Sequence, residues 1–175
     1  MEVTKSQEQQ QHRYPSVVDR YFKKKYYLFE DRQKEAFCIL VHSNRICIVT
    51  LGETHPILSQ NKCIQSVSFT IGDVNRLDNK VSGKAKRGAQ TLTATSPLCE
   101  ITCDDGEKFV VPAGMKGQLI EVNEQLLNNP SLLTLKPQTN GYIAIILPKL
   151  QEFESEMEKL LTREQYLSAI EMTPT

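Results

Sequence analysis

Between Ile64 and Ile71 the chain alternates: Val67, Phe69 and Ile71 fall on one side of an extended backbone, and Ser66, Ser68 and Thr70 on the other. That period of two predicts a half-buried strand. Phe37 to Val41 and Arg45 to Leu51 are two apolar, β-rich runs around Ser43-Asn44, which predicts a hairpin. Leu98 to Cys103 and Glu107 to Val111 flank Asp105-Gly106 and predict a second one with a tight turn.

After Gly117 the pattern is denser. Gln118 to Val122 reads as a strand, and Asn123 is placed to cap a helical turn at Glu124 to Leu127. Asn129-Pro130 ends that turn, since a residue before proline is pushed out of the helical region. A loop follows, with a turn over Pro137 to Gly141, and Tyr142 to Leu147 suits a buried strand. Gly117 and Gly141 are expected to set the fold, Gly141 through a positive φ.

Beyond Pro148 the period changes to that of a helix. Leu150, Phe153, Met157, Leu160 and Leu161 share a spacing that leaves Glu152, Glu154, Glu156 and Glu158 largely on other faces. Thr162 and Gln165 have the spacing of a capping box, opening a second helix with Tyr166, Leu167 and Ile170 as its apolar face. Such helices can pack on the β core or against a partner.

Three regions follow: a polar, glutamine-rich tail over residues 1–13, a β domain over residues 14–148, and C-terminal helices over residues 149–175. A chain of 175 residues is long enough for one substantial core. Its 21 basic and 21 acidic residues cancel, so only local patches can steer a charged partner. No apolar run approaches the roughly 20 residues that span a bilayer, and the start of the chain lacks the apolar centre of a signal peptide. An intracellular protein without a membrane partner is expected. Five cysteines with no CxxC pair argue against a disulfide framework or zinc ribbon, and the even spacing of Cys99 and Cys103 puts both on one strand face as buried thiols.

Two stretches could bind partners. Val17 to Phe29 interleaves Tyr21, Phe22, Tyr26, Tyr27 and Phe29 with Arg20 and Lys23 to Lys25. Such a run can stack nucleic-acid bases, or it can bury its rings and turn its lysines to water. The second reading is favoured because no glycine-rich aromatic signature of an RNA-recognition motif accompanies it. Lys80, Lys84, Lys86 and Arg87 lie in a glycine-punctuated stretch from Arg76 to Gln90. Gly83-Lys84 lacks the remaining spacing of a phosphate-binding loop, so an exposed basic loop suited to an acidic protein surface is expected.

Chemistry finds little support. His42 and His55 have no nucleophile or carboxylate at a productive spacing, and structural or surface roles are expected for both. Asp104, Asp105 and Glu107 sit at a hairpin tip, where solvated carboxylates with ordinary pKa values are expected.

The segment GQLIEVNEQLLNNPSLLTLKPQTNGYIAIILP resembles the C-terminal half of the glycine-cleavage H-protein family, lipoyl carriers with a barrel-sandwich hybrid fold. That resemblance implies a mainly β barrel-sandwich hybrid followed by C-terminal helices. In that family a lysine on an exposed hairpin turn carries the lipoyl group. Here Asp104-Asp105-Gly106 occupies the turn and Lys108 lies on the far arm, which speaks against a carrier.

A longer resemblance, from Ser16 to Tyr166, links SVVDRYF, CILVHSNRICIVTLGETHPIL, RLDNKVSGKAKRGAQ and the segment above to the Abitram family of actin-binding transcription modulators. It implies a non-enzymatic protein without a cofactor that binds monomeric and filamentous actin and modulates transcription. It further implies residence in the nucleus, in nuclear speckles, and in the cytoplasm and actin-rich projections, with other nuclear proteins as candidate partners. A nucleic-acid partner for the aromatic-basic run stays open, and a steep loss of affinity with salt would reveal it.

Overall fold

The run from Ala36 to Val41 is apolar at every position because both of its faces are covered. Phe37, Ile39 and Val41 point into the main core, while Ala36, Cys38 and Leu40 lie in a second cluster with Val18, Tyr26 and Tyr166. The computed structural model describes residues 16–84 and 86–172. The polar tail expected over residues 1–13 lies outside the described residues.

In chain order the elements begin with α1 (Val17–Tyr21), β1 (Phe22–Leu28), β2 (Ala36–His42), β3 (Cys47–Leu51) and α2 (Pro56–Ser59). Then come β4 (Ile64–Ser68), β5 (Thr70–Ile71), β6 (Val74–Asn75), a 3₁₀ turn at Arg76–Asp78, and β7 (Thr91–Leu92). The hairpin of β8 (Pro97–Cys103) and β9 (Lys108–Pro112) precedes β10 (Gly117–Val122), α3 (Gln125–Asn128), α4 (Leu132–Leu135) and β11 (Ala144–Leu147). Two helices close the chain, α5 (Phe153–Lys159) and α6 (Arg163–Glu171).

The strands form a six-stranded sheet in the order β1-β2-β3-β11-β10-β7, a three-stranded sheet β4-β8-β9, and the small pair β5-β6. Every named pairing is antiparallel. Val49 and Ile146 from the six-stranded sheet and Ile101 and Val111 from the three-stranded sheet belong to one buried core. The fold is therefore mainly β with C-terminal helices, as expected from the sequence.

Both predicted hairpins are present. Arg45, however, sits in the turn with φ 74°, so β3 starts only at Cys47. The alternating run breaks at Phe69, which is buried between β4 and β5. Thr70 and Ile71 then turn away to pair with Val74 and Asn75.

The segment after Gly117 departs from expectation in two places, while Asn123 caps the helical turn as expected, its Oδ1 accepting from the Gln125 backbone N–H at 3.3 Å. Asn123 is buried and donates its amide to the Asn140 and Tyr142 carbonyls at 2.7 and 2.8 Å, tying the end of β10 to the loop before β11. A second short helix, α4, replaces part of the expected loop. Gly141 does not have a positive φ. Its lack of a Cβ matters because the Leu132 and Lys136 carbonyls press against it, leaving no space for a side chain.

At the C-terminus, Met157 and Leu160 are buried and Phe153 packs partly on the core. Leu150 lies before α5 and is 68 % exposed, and Leu167 is 40 % exposed, so neither belongs to an apolar face. Glu156 turns inward instead of out, accepting from the Lys116 backbone N–H and from Lys159 Nζ, both at 3.0 Å. The capping box of Thr162 and Gln165 is formed.

Candidate functional site

At the β8–β9 tip, Gly106 takes φ 88° and lets the chain reverse. The carboxylates there are not simply solvated. Lys62 reaches across from the segment before β4 and bonds Asp105 Oδ2 at 2.7 Å and Glu107 Oε2 at 3.1 Å. Its side chain is only 11 % exposed. The Asp105 carboxyl is consequently held below the ordinary carboxylate range by the Lys62 hydrogen bond, a correction to the expectation of an unperturbed tip. Lys108 lies on the far arm and pairs with Glu100 at 3.4 Å.

The basic stretch forms a small closed loop. Ser82 and Arg87 exchange backbone bonds at 3.0 Å, and the chain reverses between them with Gly83 at φ 70° and Lys86 at φ 52°. Lys80, Lys84 and Arg87 are exposed and Lys86 is half-buried. Among the described residues none of the four has a carboxylate partner.

Below the loop is a buried polar knot that sequence reasoning missed. Arg76 is 7 % exposed and donates from Nε to the Pro97 carbonyl at 2.9 Å and from Nη1 to Gln90 Oε1 at 2.7 Å. Gln90 donates its backbone N–H to Asn79 Oδ1 at 2.8 Å, and Asn79 donates its amide to the Leu119 carbonyl at 2.9 Å. The two ends of the loop are thus fixed to each other and to β10. In the sequence Arg76 looks like one more surface cation; no local spacing marks it as buried.

The aromatic-basic run resolves into α1 and the edge strand β1. Tyr26 is fully buried against Tyr166, Tyr27 and Phe29 pack on the core, and Phe22 meets His42 edge-on at 5.2 Å. Phe22, Tyr27 and Phe29 are half-buried, and Tyr21 is exposed. A groove of about 570 Å³ lies beside the run, with Val41, Phe153 and Met157 among its apolar lining.

His55 accepts at Nδ1 from the Ile57 backbone N–H at 3.2 Å, capping α2, and its ring lies between Phe37 and Phe109. Burial lowers its pKa to about 4. His42 accepts at Nδ1 from the Asn44 N–H at 3.1 Å and steadies the β2–β3 turn. Cys99 and Cys103 are buried on one face of β8, as the even spacing predicts. Burial also pushes the Cys38 and Cys47 thiols up to about 12. Among the described residues no cluster of three or more His, Cys, Asp or Glu could hold a metal ion, and no helix is long and apolar enough to cross a membrane.

Comparison with known proteins agrees with this geometry. Residues 60–173 match the family described as glycine cleavage H-protein. A crystal structure of a glycine cleavage system H protein from Mycobacterium marinum superposes with TM-score 0.57, covering 85 % of this chain and 97 % of that one at 14 % identity, so it shares the fold. Protein Abitram of Homo sapiens is 53 % identical over 87 % of this chain and 85 % of its own length. Protein Abitram of Danio rerio is 53 % identical over 87 % of both chains, and that of Dictyostelium discoideum is 30 % identical over 86 % of both. With a carrier-type fold whose tip holds carboxylates, and with likeness running along most of its length, the chain belongs to the Abitram family, within the glycine cleavage H-protein family of domains.

Proposed function

We propose that this protein is a non-enzymatic actin-binding protein that engages monomeric and filamentous actin and modulates transcription. It would act in the nucleus, including nuclear speckles, and in the cytoplasm and actin-rich projections. Family membership is the ground for this reading. The observation that carries it to particular residues is the basic loop: among the described residues, Lys80, Lys84, Lys86 and Arg87 stand without acidic partners, on a chain of balanced charge. Actin exposes a largely acidic surface, and concentrated positive charge on a closed loop docks to such a surface at little ordering cost.

Co-sedimentation with purified actin tests the reading. Wild-type protein is expected to bind and to bind less as salt rises. The triple variant Lys84→Glu, Lys86→Glu, Arg87→Glu is expected to lose affinity by about tenfold or more at low salt, with unchanged melting, since exposed loop charges add little to stability. Binding that ignores salt and survives the triple variant would reject the loop; no binding by the wild type would reject actin.

A further inference from the structure

The groove beside β1 has walls of opposite sign. Arg20 on α1 and Lys23 and Lys25 on β1 line one side, and Glu154 and Glu158 on α5 line the other. None of these five makes an ion pair among the described residues, so the two walls face one another without closing. The neighbouring charges are already matched: Lys24 pairs with Asp19, and Lys159 with Glu156. The floor between the walls is apolar, with Phe153 and Met157 from α5. Tyr21 on α1 also lines the groove and is 59 % exposed.

From this geometry we infer that the groove is the self-association face of the protein, occupied by a second copy of the same chain in a two-fold dimer. Symmetry selects this occupant. A two-fold axis running along the groove between its walls exchanges left and right. It therefore sets the basic wall of each copy over the acidic wall of the other, and the same contact is made twice. A partner of a single charge sign would meet repulsion from one wall, whereas a second copy satisfies both. Two facing grooves would enclose a void unless something filled it. Tyr21, large, amphipathic and already exposed along the groove, is the side chain that enters the partner's groove over Phe153 and Met157. The chain's equal numbers of basic and acidic residues leave no net repulsion between copies.

This inference does not rest on the actin reading, because none of the basic-loop residues lines the groove. Sedimentation velocity over a concentration series tests it. Wild-type protein is expected to show a concentration-dependent species of twice the chain mass. Lys23→Glu/Lys25→Glu and Glu154→Lys/Glu158→Lys each place like charges across the axis, twice per dimer, and each should weaken association by about tenfold or more. Mixing the two variants restores attraction at both contacts, so an equimolar mixture should dimerise while each variant alone does not. Tyr21→Ala, which alters no charge, should weaken the dimer as well. The triple loop variant serves as control and should dimerise like the wild type. A wild type that stays monomeric throughout the series overturns the inference. So does a dimer that persists in both charge variants and in Tyr21→Ala, since its interface would then lie elsewhere.

Discussion

Tyr26 and Tyr166 stack face to face with ring centroids 4.1 Å apart and planes 1° apart, joining the edge strand β1 to the last helix. Around them, Tyr26 donates to Glu53 Oε1 at 3.1 Å, Arg163 donates to the Tyr26 hydroxyl at 2.9 Å and also pairs with Glu53, and the Thr54 N–H donates to the Tyr166 hydroxyl at 3.1 Å. Leu161 and Tyr26 exchange backbone bonds at 2.9 Å just before α6 starts. The outer face of β2 is buried because this helix is pinned there.

Tyr166→Ala should therefore destabilise the protein by about 3–5 kcal/mol, the range for removing a fully buried aromatic side chain. Tyr166→Phe keeps the stack and removes only the bonds with Thr54, at about 1 kcal/mol. Chemical denaturation of both variants checks the difference. Equal losses would mean that the hydroxyl network, not the stack, holds α6 in place.

His55 makes stability depend on pH. Burial lowers its folded pKa to about 4 from the ordinary 6.5, so in the acid range the unfolded chain takes up a proton that the folded protein refuses. The contribution is complete above pH 6.5 and is lost as pH falls from there toward 4, amounting to about 3 kcal/mol at most. His55→Asn keeps a side chain able to cap α2 but does not titrate. Its stability should change less than that of the wild type between pH 7 and pH 4, and identical slopes would remove His55 as the cause.

Glycine substitutions separate two kinds of constraint. Gly141→Ala forces a Cβ into the Leu132 carbonyl, which belongs to α4 and cannot swing aside, so a loss of about 2 kcal/mol or more is expected. At Gly72, φ is 58° and the space around a Cβ is open, so Gly72→Ala should cost only about 1 kcal/mol. Thermal melting of the pair, with Gly141→Ala clearly the lower, is the expected result.

The contrast at Gly141 shows how far the sequence could be read. Its neighbours announced a turn, but a glycine serves equally for a positive φ or for close backbone approach, and only the position of Leu132 decides which. The hairpins β2–β3 and β8–β9 were legible because strand periodicity and turn chemistry are local. Helix α4 was not, since four residues after a proline make barely one turn and show no period. Long-range features left no trace either. Lys62 meets Asp105 across 43 positions of sequence, and the groove assembles from α1, β1 and α5, which only the folded sheet brings together. Charge clusters were visible, but whether a cation is displayed like Lys84 or buried like Arg76 depends on what lies above it.

Arg76 supplies the last prediction, which separates the display of the basic loop from its charge. Its guanidinium satisfies Pro97 and Gln90, and Gln90 in turn holds Asn79 and, through its amide, the Asn75 carbonyl at 3.0 Å. Arg76→Met keeps much of the side-chain volume but leaves the Pro97 carbonyl and the Gln90 amide oxygen without their donor, at a cost of about 1–3 kcal/mol. Lys80, Lys84, Lys86 and Arg87 all remain, so the attraction to an acidic partner persists while the loop's two ends are no longer held together. On the actin-binding reading proposed above, affinity for actin should fall, because ordering the loop must then be done on binding, whereas the slope of affinity against salt should stay that of the wild type. Hydrogen exchange of the Ser82 and Arg87 amides should accelerate in the same variant. Faster exchange with undiminished affinity would show that the loop's charge suffices without its fixed shape.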